Sequence, residues 1–206
     1  SIIKSTNDFP NGSIFDLRES LLKIKAAGSF LTENELYQLG KTLVSAAEIC
    51  DYFTEEKSAA YPLLKQIADS LLCFPEISRH IDSILDKFGN IKDNASPELQ
   101  QLRRKLLSVS SSVNGMMQRV ISRYKQNGML DKDCTPSIRD GRLVIPVAPM
   151  HKRAVKGIVH DESATGKTFF IEPEEIVEAN NQIRELEADI HKEIVRILIM
   201  TADIIR

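Results

Sequence analysis

The sequence has no apolar run that approaches the ~20 residues needed to span a membrane. No signal-peptide pattern opens it, so we expect a cytoplasmic protein without a membrane partner. A strong charge of one sign is also missing, because the 206 residues carry 27 basic and 29 acidic side chains, a net charge of −2. This balance excludes a surface that attracts nucleic acid everywhere and leaves only local basic patches to consider.

Cysteine is scarce as well. Cys50, Cys73 and Cys134 are odd in number and form no Cys-x-x-Cys pair. This excludes the disulfide framework of a small secreted domain, and we expect buried, reduced thiols. The four histidines show no metal-ligand spacing, so we expect no metal site.

The remaining composition is that of an ordinary globular protein, with 42 % hydrophobic and 27 % charged residues. The length suits one domain or two small ones. The sequence starts at Ser1 without a methionine and stops at Arg206 within a helical pattern. We therefore expect a piece of a longer protein, and we look for catalytic machinery outside the piece.

Residues 1–95 are predicted to form a helical core. Apolar residues repeat at helical spacing from residue 14 to 24, and Thr32 with Glu35 makes a capping box that opens the next helix. Pro62 and Pro75 lie near the starts of two further amphipathic runs, where proline is tolerated.

Two long helices are predicted at 96–127 and 172–206, on either side of a segment whose composition is not helical. In the first, residues seven apart are apolar: Leu99, Leu106, Val113 and Val120. In the second they form an isoleucine ladder: Ile176, Ile183, Ile190, Ile197 and Ile204. Such heptads favour long helices that pair as in a coiled coil.

Charge indicates which helix is the partner. Residues 96–127 carry six bases against one acid, whereas 172–206 carry nine acids against four bases, so the net charges are +5 and −5. Opposite charges favour pairing with each other and disfavour self-pairing. We predict one antiparallel pair of long lever helices in a mainly α fold.

Residues 128–171, between the long helices, are predicted to form a small antiparallel β-element. They are rich in Val, Ile, Phe, Gly and Pro, and the candidate strands are 135–139, 142–147, 155–160 and 167–171. Asp140-Gly141 is a two-residue hairpin signal between the first two strands. The β-element is therefore inserted at the far end of a helical hairpin.

The tripeptide Gly166-Lys167-Thr168 matches the last three residues of a phosphate-binding loop motif. The glycine that such a loop needs five residues earlier is Asp161 here, and the residues that follow read as a strand rather than a helix. We therefore predict a hairpin loop in which Gly166 has a positive φ, and no nucleotide site.

The four residues from His160 to Ser163 also invite a catalytic assignment. Side chains that are adjacent on a strand alternate in direction, so these four are not expected to converge on one site.

The β-element is basic. Residues 139–171 carry six bases and three acids, and basic side chains here can reach phosphates. We predict contact with a nucleic-acid backbone, and the alternative is a solvated turn. The candidate residues are Arg142, Lys152, Arg153, Lys156 and Lys167.

Three stretches resemble one family. "IRDGRLVIPV", "KGIVHDESATGKTFFIEPEEIVEANNQIRELE" and "GNIKDNASPELQQLRR" are similar to the second bacterial MutS family (MutS-two), paralogues of the mismatch-repair MutS proteins. The resemblance runs from about residue 14 to the end and is most specific around 138–187. It implies the helical core and lever region, with the levers running toward a DNA-contacting clamp end.

The resemblance also implies properties of the whole protein. These are a DNA-dependent ATPase that uses ATP and magnesium, a small C-terminal nuclease domain, and homodimers associated with the bacterial nucleoid. Branched DNA, DNA repair and suppression of homologous recombination are the implied partner and roles, and some members rescue collided ribosomes. No catalytic residue of the family maps inside this chain, so we expect no enzymatic activity and no cofactor in this segment.

Two alternatives stay open. The segment could be a purely structural or dimerisation module whose basic groups are merely solvated. Its ligand could also be ribosomal RNA, because phosphate contacts alone do not distinguish RNA from DNA.

Overall fold

The computed structural model describes residues 9–10 and 12–206, so the start of the predicted segment 1–95 lies partly outside the described residues. The helices are α1 Arg18–Lys23, α2 Glu33–Tyr52, α3 Glu55–Ala60, α4 Pro62–Ala68, α5 Pro75–Ile84, α6 Pro97–Gln126 and α7 Val177–Ile205. The strands are β1 Ser137–Arg139, β2 Arg142–Val147, β3 Gly157–Glu162 and β4 Phe169–Pro173. The prediction of a mainly α chain with a small antiparallel β-element is confirmed.

The described chain forms two compact units. The first contains the residues up to Leu99 together with Lys192–Arg206, and the second is Gln100–His191. Both long helices contribute to both units. The predicted division into four segments stays a prediction.

Local signals define the helices of the first unit. The Thr32 hydroxyl accepts a hydrogen bond from the Glu35 backbone at 3.3 Å, and the Glu35 carboxylate accepts one from the Thr32 backbone at 2.7 Å, which confirms the capping box. Pro62 and Pro75 are the first residues of α4 and α5, as predicted. The buried side chains of this unit include Ile24, Leu31, Leu36, Ile81 and Ile84.

Ser96 caps α6. Its hydroxyl accepts a hydrogen bond from the Leu99 backbone at 3.0 Å and donates one to the Glu193 carboxylate at 2.5 Å. Both Ser96 and Glu193 are buried, so this cap also fixes a side chain of α7 within the first unit.

The seven-residue repeats of the long helices do not give one continuous buried seam. In α6, Leu106 is only half-buried, and the buried stripe runs through Val113, Met117, Val120, Ile121 and Tyr124. In α7, Ile197 is buried, whereas Met200 and Ile204 are 52 % and 53 % exposed. The isoleucine ladder therefore predicts that α7 is a helix but does not predict which of its isoleucines are buried.

The second long helix begins later than the predicted residue 172. The strand β4 continues to Pro173, a 3₁₀ turn spans Glu174–Ile176, and α7 starts at Val177. The strand continues because Glu172 and Pro173 pair with Ile158 and Gly157 of β3.

The second unit is built on a four-stranded antiparallel sheet in the order β1-β2-β4-β3. Asp140 (φ 50°) and Gly141 (φ 72°) form the two-residue turn between the paired residues Arg139 and Arg142, as predicted. Strands β3 and β4 both lie two residues later than predicted, and they pair with each other from Gly157 opposite Pro173 to Glu162 opposite Phe169.

The core of the second unit joins the sheet to α6. Its buried residues include Met117, Val120, Ile121 and Tyr124 of α6 with Ile145, Val147, Ile171 and Ile176. This core fixes where the sheet and its connections lie relative to the end of α6.

Two of the three cysteines contradict the expectation of buried thiols. Cys50 is half-buried and Cys73 is exposed, and only Cys134 is buried. Cysteine side chains are often buried because they are apolar. Cys73 is exposed because the short helices on either side of it do not cover its side chain. None of the helices in the described part of the chain is long and apolar enough to cross a membrane.

Candidate nucleic-acid interface

The connection between β2 and β3, residues 148–156, is called the basic turn below. It is ordered by its own backbone, because His151 donates to the Ala148 carbonyl at 2.9 Å and Val155 donates to the His151 carbonyl at 3.2 Å. The Val155 side chain is buried in the core, and the Lys156 backbone donates to the Tyr124 hydroxyl at 3.3 Å. The last residues of the turn, Val155 and Lys156, thus anchor it to the core of the second unit.

The cations of the basic turn face solvent. Lys152, Arg153 and Lys156 are exposed, and the Lys152 ammonium lies 3.7 Å from the centre of the Phe169 ring. Within the residues that the structure describes, none of the three makes an ion pair within 4.0 Å. Their charge is therefore available to an anionic partner.

Lys167 lies in the loop between β3 and β4. Gly166 has φ 66° and donates to the Ser163 carbonyl at 2.8 Å, and β4 begins two residues after Lys167. The prediction of a hairpin loop with a positive φ at Gly166 is confirmed. No helix follows the glycine, so its backbone does not form a phosphate-binding loop.

The surroundings of Lys167 carry mixed charge. Its side chain is exposed and lines a cleft of about 550 Å³ with Asp131, Lys132, Asp133 and Ala148, the first residue of the basic turn. The two aspartates offset part of the positive charge there. Lys167 thus lies beside the basic turn, in a cleft lined by charges of both signs.

Arg142 is engaged inside the fold. Its guanidinium donates to the Glu172 carboxylate at 2.9 Å and to the Asn181 side-chain oxygen at 2.7 Å, and its side chain is 22 % exposed. A phosphate contact by Arg142 would compete with these two bonds, so its predicted role is the weakest of the five.

Glu172 is the centre of a buried polar network. Its side chain is 0 % exposed, and besides Arg142 it contacts His160 Nε2 at 2.6 Å and the Asn180 amide at 2.7 Å. Burial alone would raise the pKa of Glu172, but the hydrogen bonds from Asn180, His160 and Arg142 outweigh burial and lower the pKa. The carboxylate is therefore held in its charged form.

Asn180 extends this network into β2. Its side chain donates to the Leu143 carbonyl at 3.1 Å and accepts from the Leu143 backbone at 3.4 Å. The first turns of α7 are thereby joined to the middle of the sheet. The network therefore joins β2 and β4 to the first turns of α7.

Sequence reasoning missed this network. A signal was present, because Glu172 interrupts the apolar strand Phe169–Pro173 and two asparagines follow eight and nine residues later. A lone carboxylate within an apolar strand indicates a buried partner set.

The neighbours of His160 have separate partners, as predicted. His160 contacts Glu172, whereas Asp161 pairs with the Arg139 guanidinium at 3.2 Å. No group of three or more His, Cys, Asp or Glu side chains among the described residues could hold a metal ion.

One acid near the basic turn is already paired with another base. Glu175 forms an ion pair with Arg123 at the end of α6. Burial would raise the pKa of Glu175, but the hydrogen bond and charge of Arg123, with a smaller contribution from Lys156, lower it. The Arg139 guanidinium also covers the Phe170 ring at 3.9 Å. The cations of the basic turn and Lys167 are therefore one group of exposed cations in the second unit that form no ion pair with a described acid.

No family model matches the chain. It is similar to "Endonuclease MutS2" of Pelotomaculum thermopropionicum, with 38 % identity over 183 residues, which is 89 % of this chain and 23 % of the relative. "Endonuclease MutS2" of Halalkalibacterium halodurans is 34 % identical over 201 residues, 96 % of this chain and 25 % of the relative. "Putative endonuclease MutS2" of Bacillus subtilis is 32 % identical over 199 residues, with the same coverage. The chain spans about a quarter of the length of these relatives.

Proposed function

Because the chain belongs, over the segment that it spans, to the MutS2 family, we propose that it is the core and lever segment of a DNA-binding MutS-like protein. In this proposal the basic turn contacts the phosphate backbone of DNA. The observation that carries it is the ordered turn with three exposed cations, Lys152, Arg153 and Lys156, that pair with no described acid.

The chemistry of the turn favours backbone contact over base reading. Lysine and arginine side chains on an anchored turn can each meet a phosphate, and such contacts position a protein without reading sequence. The single 3₁₀ turn Pro149–His151 is too short to act as a recognition helix in the major groove. We therefore propose that binding depends on the shape and charge of DNA, as recognition of branched DNA requires.

We further propose that α6 and α7 act as an antiparallel pair of levers. The opposite charges of 96–127 and 172–206 support this pairing. So does the ion pair between Arg123, near the end of α6, and Glu175, just before α7, within the second unit. A force on the basic turn would then reach both helices through the sheet.

The decisive experiment is charge reversal of the turn. The triple variant Lys152→Glu, Arg153→Glu and Lys156→Glu is expected to lower the affinity for a branched DNA at least ~10-fold, because three phosphate contacts become repulsive. Affinity is measured by fluorescence anisotropy with the purified whole protein.

A matched control separates local contact from total charge. Lys25, Lys41 and Lys87 are exposed in the first unit, and their reversal changes the net charge equally. We expect this control triple to retain affinity within about 2-fold, because neutralisation of phosphates by contacting cations, rather than net charge, supplies the binding. Equal losses in both triples would refute a contact at the basic turn.

The same variants test RNA as the ligand. Structured ribosomal RNA presents the same phosphates, so the rescue of collided ribosomes is the alternative role. We expect branched DNA to compete better than RNA of equal length. Stronger binding of RNA, lost only in the turn variant, would assign the turn to ribosomes instead.

For the whole protein we propose further properties that are suggested by the family. These are ATP hydrolysis with magnesium, endonuclease activity as in the names of the relatives, a homodimeric state, and association with the nucleoid in DNA repair and suppression of recombination. Within this proposal the segment itself transmits force and binds DNA, without catalysis.

A second candidate function is a dimerisation module, and one observation favours it. Met200 and Ile204 of the α7 ladder are about half-exposed and lie one turn apart. The variant Ile204→Glu would then convert a dimer to a monomer in sedimentation velocity. A dimer that depends on this ladder would contradict the intramolecular lever pair.

A further inference from the structure

Two cysteines that are distant in sequence meet in the first unit. Cys50 lies in the last turn of α2, and Cys73 lies in the connection between α4 and α5. Their sulfur atoms are 3.3 Å apart, within hydrogen-bond distance. Cys50 is half-buried, whereas Cys73 is exposed.

At this separation the two sulfur atoms are in contact but not bonded. A disulfide joins two sulfurs at about 2.05 Å, so closure needs the sulfurs to approach by little more than ~1 Å. Residues 71–74, which carry Cys73, have no regular secondary structure, so no helix has to unwind for that movement. The side that has to move is therefore the irregular segment 71–74 rather than α2.

We propose that Cys50 and Cys73 form a thiol–disulfide exchange site, which low-molecular-weight disulfides such as oxidised glutathione convert to an intramolecular disulfide. The proposal concerns the first unit and does not depend on nucleic-acid binding by the basic turn.

The reaction proceeds in two exchange steps. The exposed Cys73 thiolate attacks one sulfur of oxidised glutathione, whose S–S bond breaks, and one glutathione thiolate leaves. The Cys50 thiolate then attacks the Cys73 sulfur, so that the Cys50–Cys73 bond forms and the second glutathione leaves. The two protein thiols lose two electrons and two protons, which the oxidised glutathione takes up to become two glutathione thiols.

The order of the two steps follows from exposure and acidity. Cys73 is the accessible sulfur, while the hydrogen bond with Cys73 and, less strongly, burial raise the pKa of the Cys50 thiol. Cys50 is therefore the less reactive of the two sulfurs toward oxidised glutathione. Attack by Cys73 first leaves Cys50 as the resolving cysteine.

The disulfide would fasten a weakly packed segment to α2. Residues 50–73 include α3 and α4, whose small core consists of Tyr52, Phe53 and Ala68. Leu63, Ile67 and Leu72 in the same segment are largely exposed. A disulfide between Cys50 and Cys73 would close residues 50–73 into a loop and restrict how far this segment can move away from α2.

Cys134 is a built-in control. It is buried, its sulfur is 3.9 Å from the Pro146 carbonyl, and burial raises the pKa of its thiol. A buried, protonated thiol reacts slowly, so oxidised glutathione is expected to spare it.

The test is oxidation of the purified native protein with oxidised glutathione at pH 8, followed by peptide mapping. We expect one linked pair of peptides, Cys50 with Cys73, an unmodified Cys134, and complete reversal by dithiothreitol. In denaturant the link should form at least ~10-fold more slowly, because the proximity of the two sulfurs is lost.

Two variants make the outcome decisive. Cys73→Ser should abolish the link and leave only slow attachment of glutathione to the half-buried Cys50, whereas Cys134→Ser should leave the rate of link formation unchanged. Accumulation of a stable glutathione adduct on Cys73 without a linked peptide would overturn the proposal. So would a link that forms equally fast in native and denatured protein.

Discussion

Replacement of Glu172 by glutamine tests whether the buried network holds the sheet to α7. The carboxylate is fully buried and faces three groups, on Arg142, His160 and Asn180. Glutamine keeps the size of the side chain but removes the charge and turns one oxygen into a donor. One of the three groups then meets another donor, and the Arg142 guanidinium loses its charged partner and keeps only the Asn181 oxygen.

The magnitude follows from burial. Breaking a buried pair by removing one partner costs about 3–5 kcal/mol. Arg142 keeps 22 % of its side chain in solvent, and the amide retains one acceptor, so the lower end applies. We expect Glu172→Gln to lower the free energy of unfolding by about 3 kcal/mol at neutral pH, which shifts Tm by roughly 6–12 °C for a chain of this size.

The pH dependence of this loss has a definite sign. The network lowers the pKa of Glu172, so its contribution to stability is complete above the unfolded value of about 4.3 and is lost as pH falls through the folded pKa. The difference between the wild type and the variant should therefore be fully present at pH 7 and shrink below about pH 4.

Calorimetry measures the shift in Tm, and hydrogen exchange of peptides covering 157–173 locates the loss to β3 and β4. Glu178, an exposed acid in the first turn of α7, supplies the matched control, and Glu178→Gln should cost less than about 0.5 kcal/mol. A cost below about 1 kcal/mol for Glu172→Gln, or an equal cost at pH 3 and pH 7, would refute the reasoning.

Two further variants test the packing around the long helices and the sheet. Ser96→Ala should cost about 2 kcal/mol in urea unfolding, because it removes the α6 cap and a donor to buried Glu193, whereas the exposed cap variant Thr32→Ala should cost about 1 kcal/mol. Equal costs would contradict the role of Glu193. A Cβ on Gly157 would lie 2.1 Å from the Glu172 carbonyl, so Gly157→Ala should cost more than about 2 kcal/mol and raise hydrogen exchange in β4. Unchanged exchange would contradict this close approach.

Features with a local cause were predictable from the sequence. The capping box of α2, the prolines that open α4 and α5, and the Asp140-Gly141 turn each depend on residues within four positions of one another. The hairpin loop at Gly166 was also predictable locally, because Asp161 stands where a phosphate-binding loop needs glycine and a strand pattern follows Thr168.

Features that depend on distant residues were not predictable. Glu172 meets Arg142 across 30 positions, and Cys50 meets Cys73 across 23. Periodicity indicated that α7 is a helix, but burial of each isoleucine depends on what packs against it, and Ile204 is exposed although Ile197 is buried. The start of α7 was placed too early because the sequence of β4 continues without a break into the following turn.

Contact between the basic turn and phosphates would show in the salt dependence of DNA binding. Neutralising Lys152, Arg153 and Lys156 with glutamine removes contacts without introducing repulsion. If all three contact phosphates, the slope of log K against log salt should fall in magnitude by about 2.7, since each contact contributes about 0.9. The control triple at Lys25, Lys41 and Lys87 should leave the slope unchanged. An unchanged slope in the turn variant, with DNA binding intact, would contradict the account.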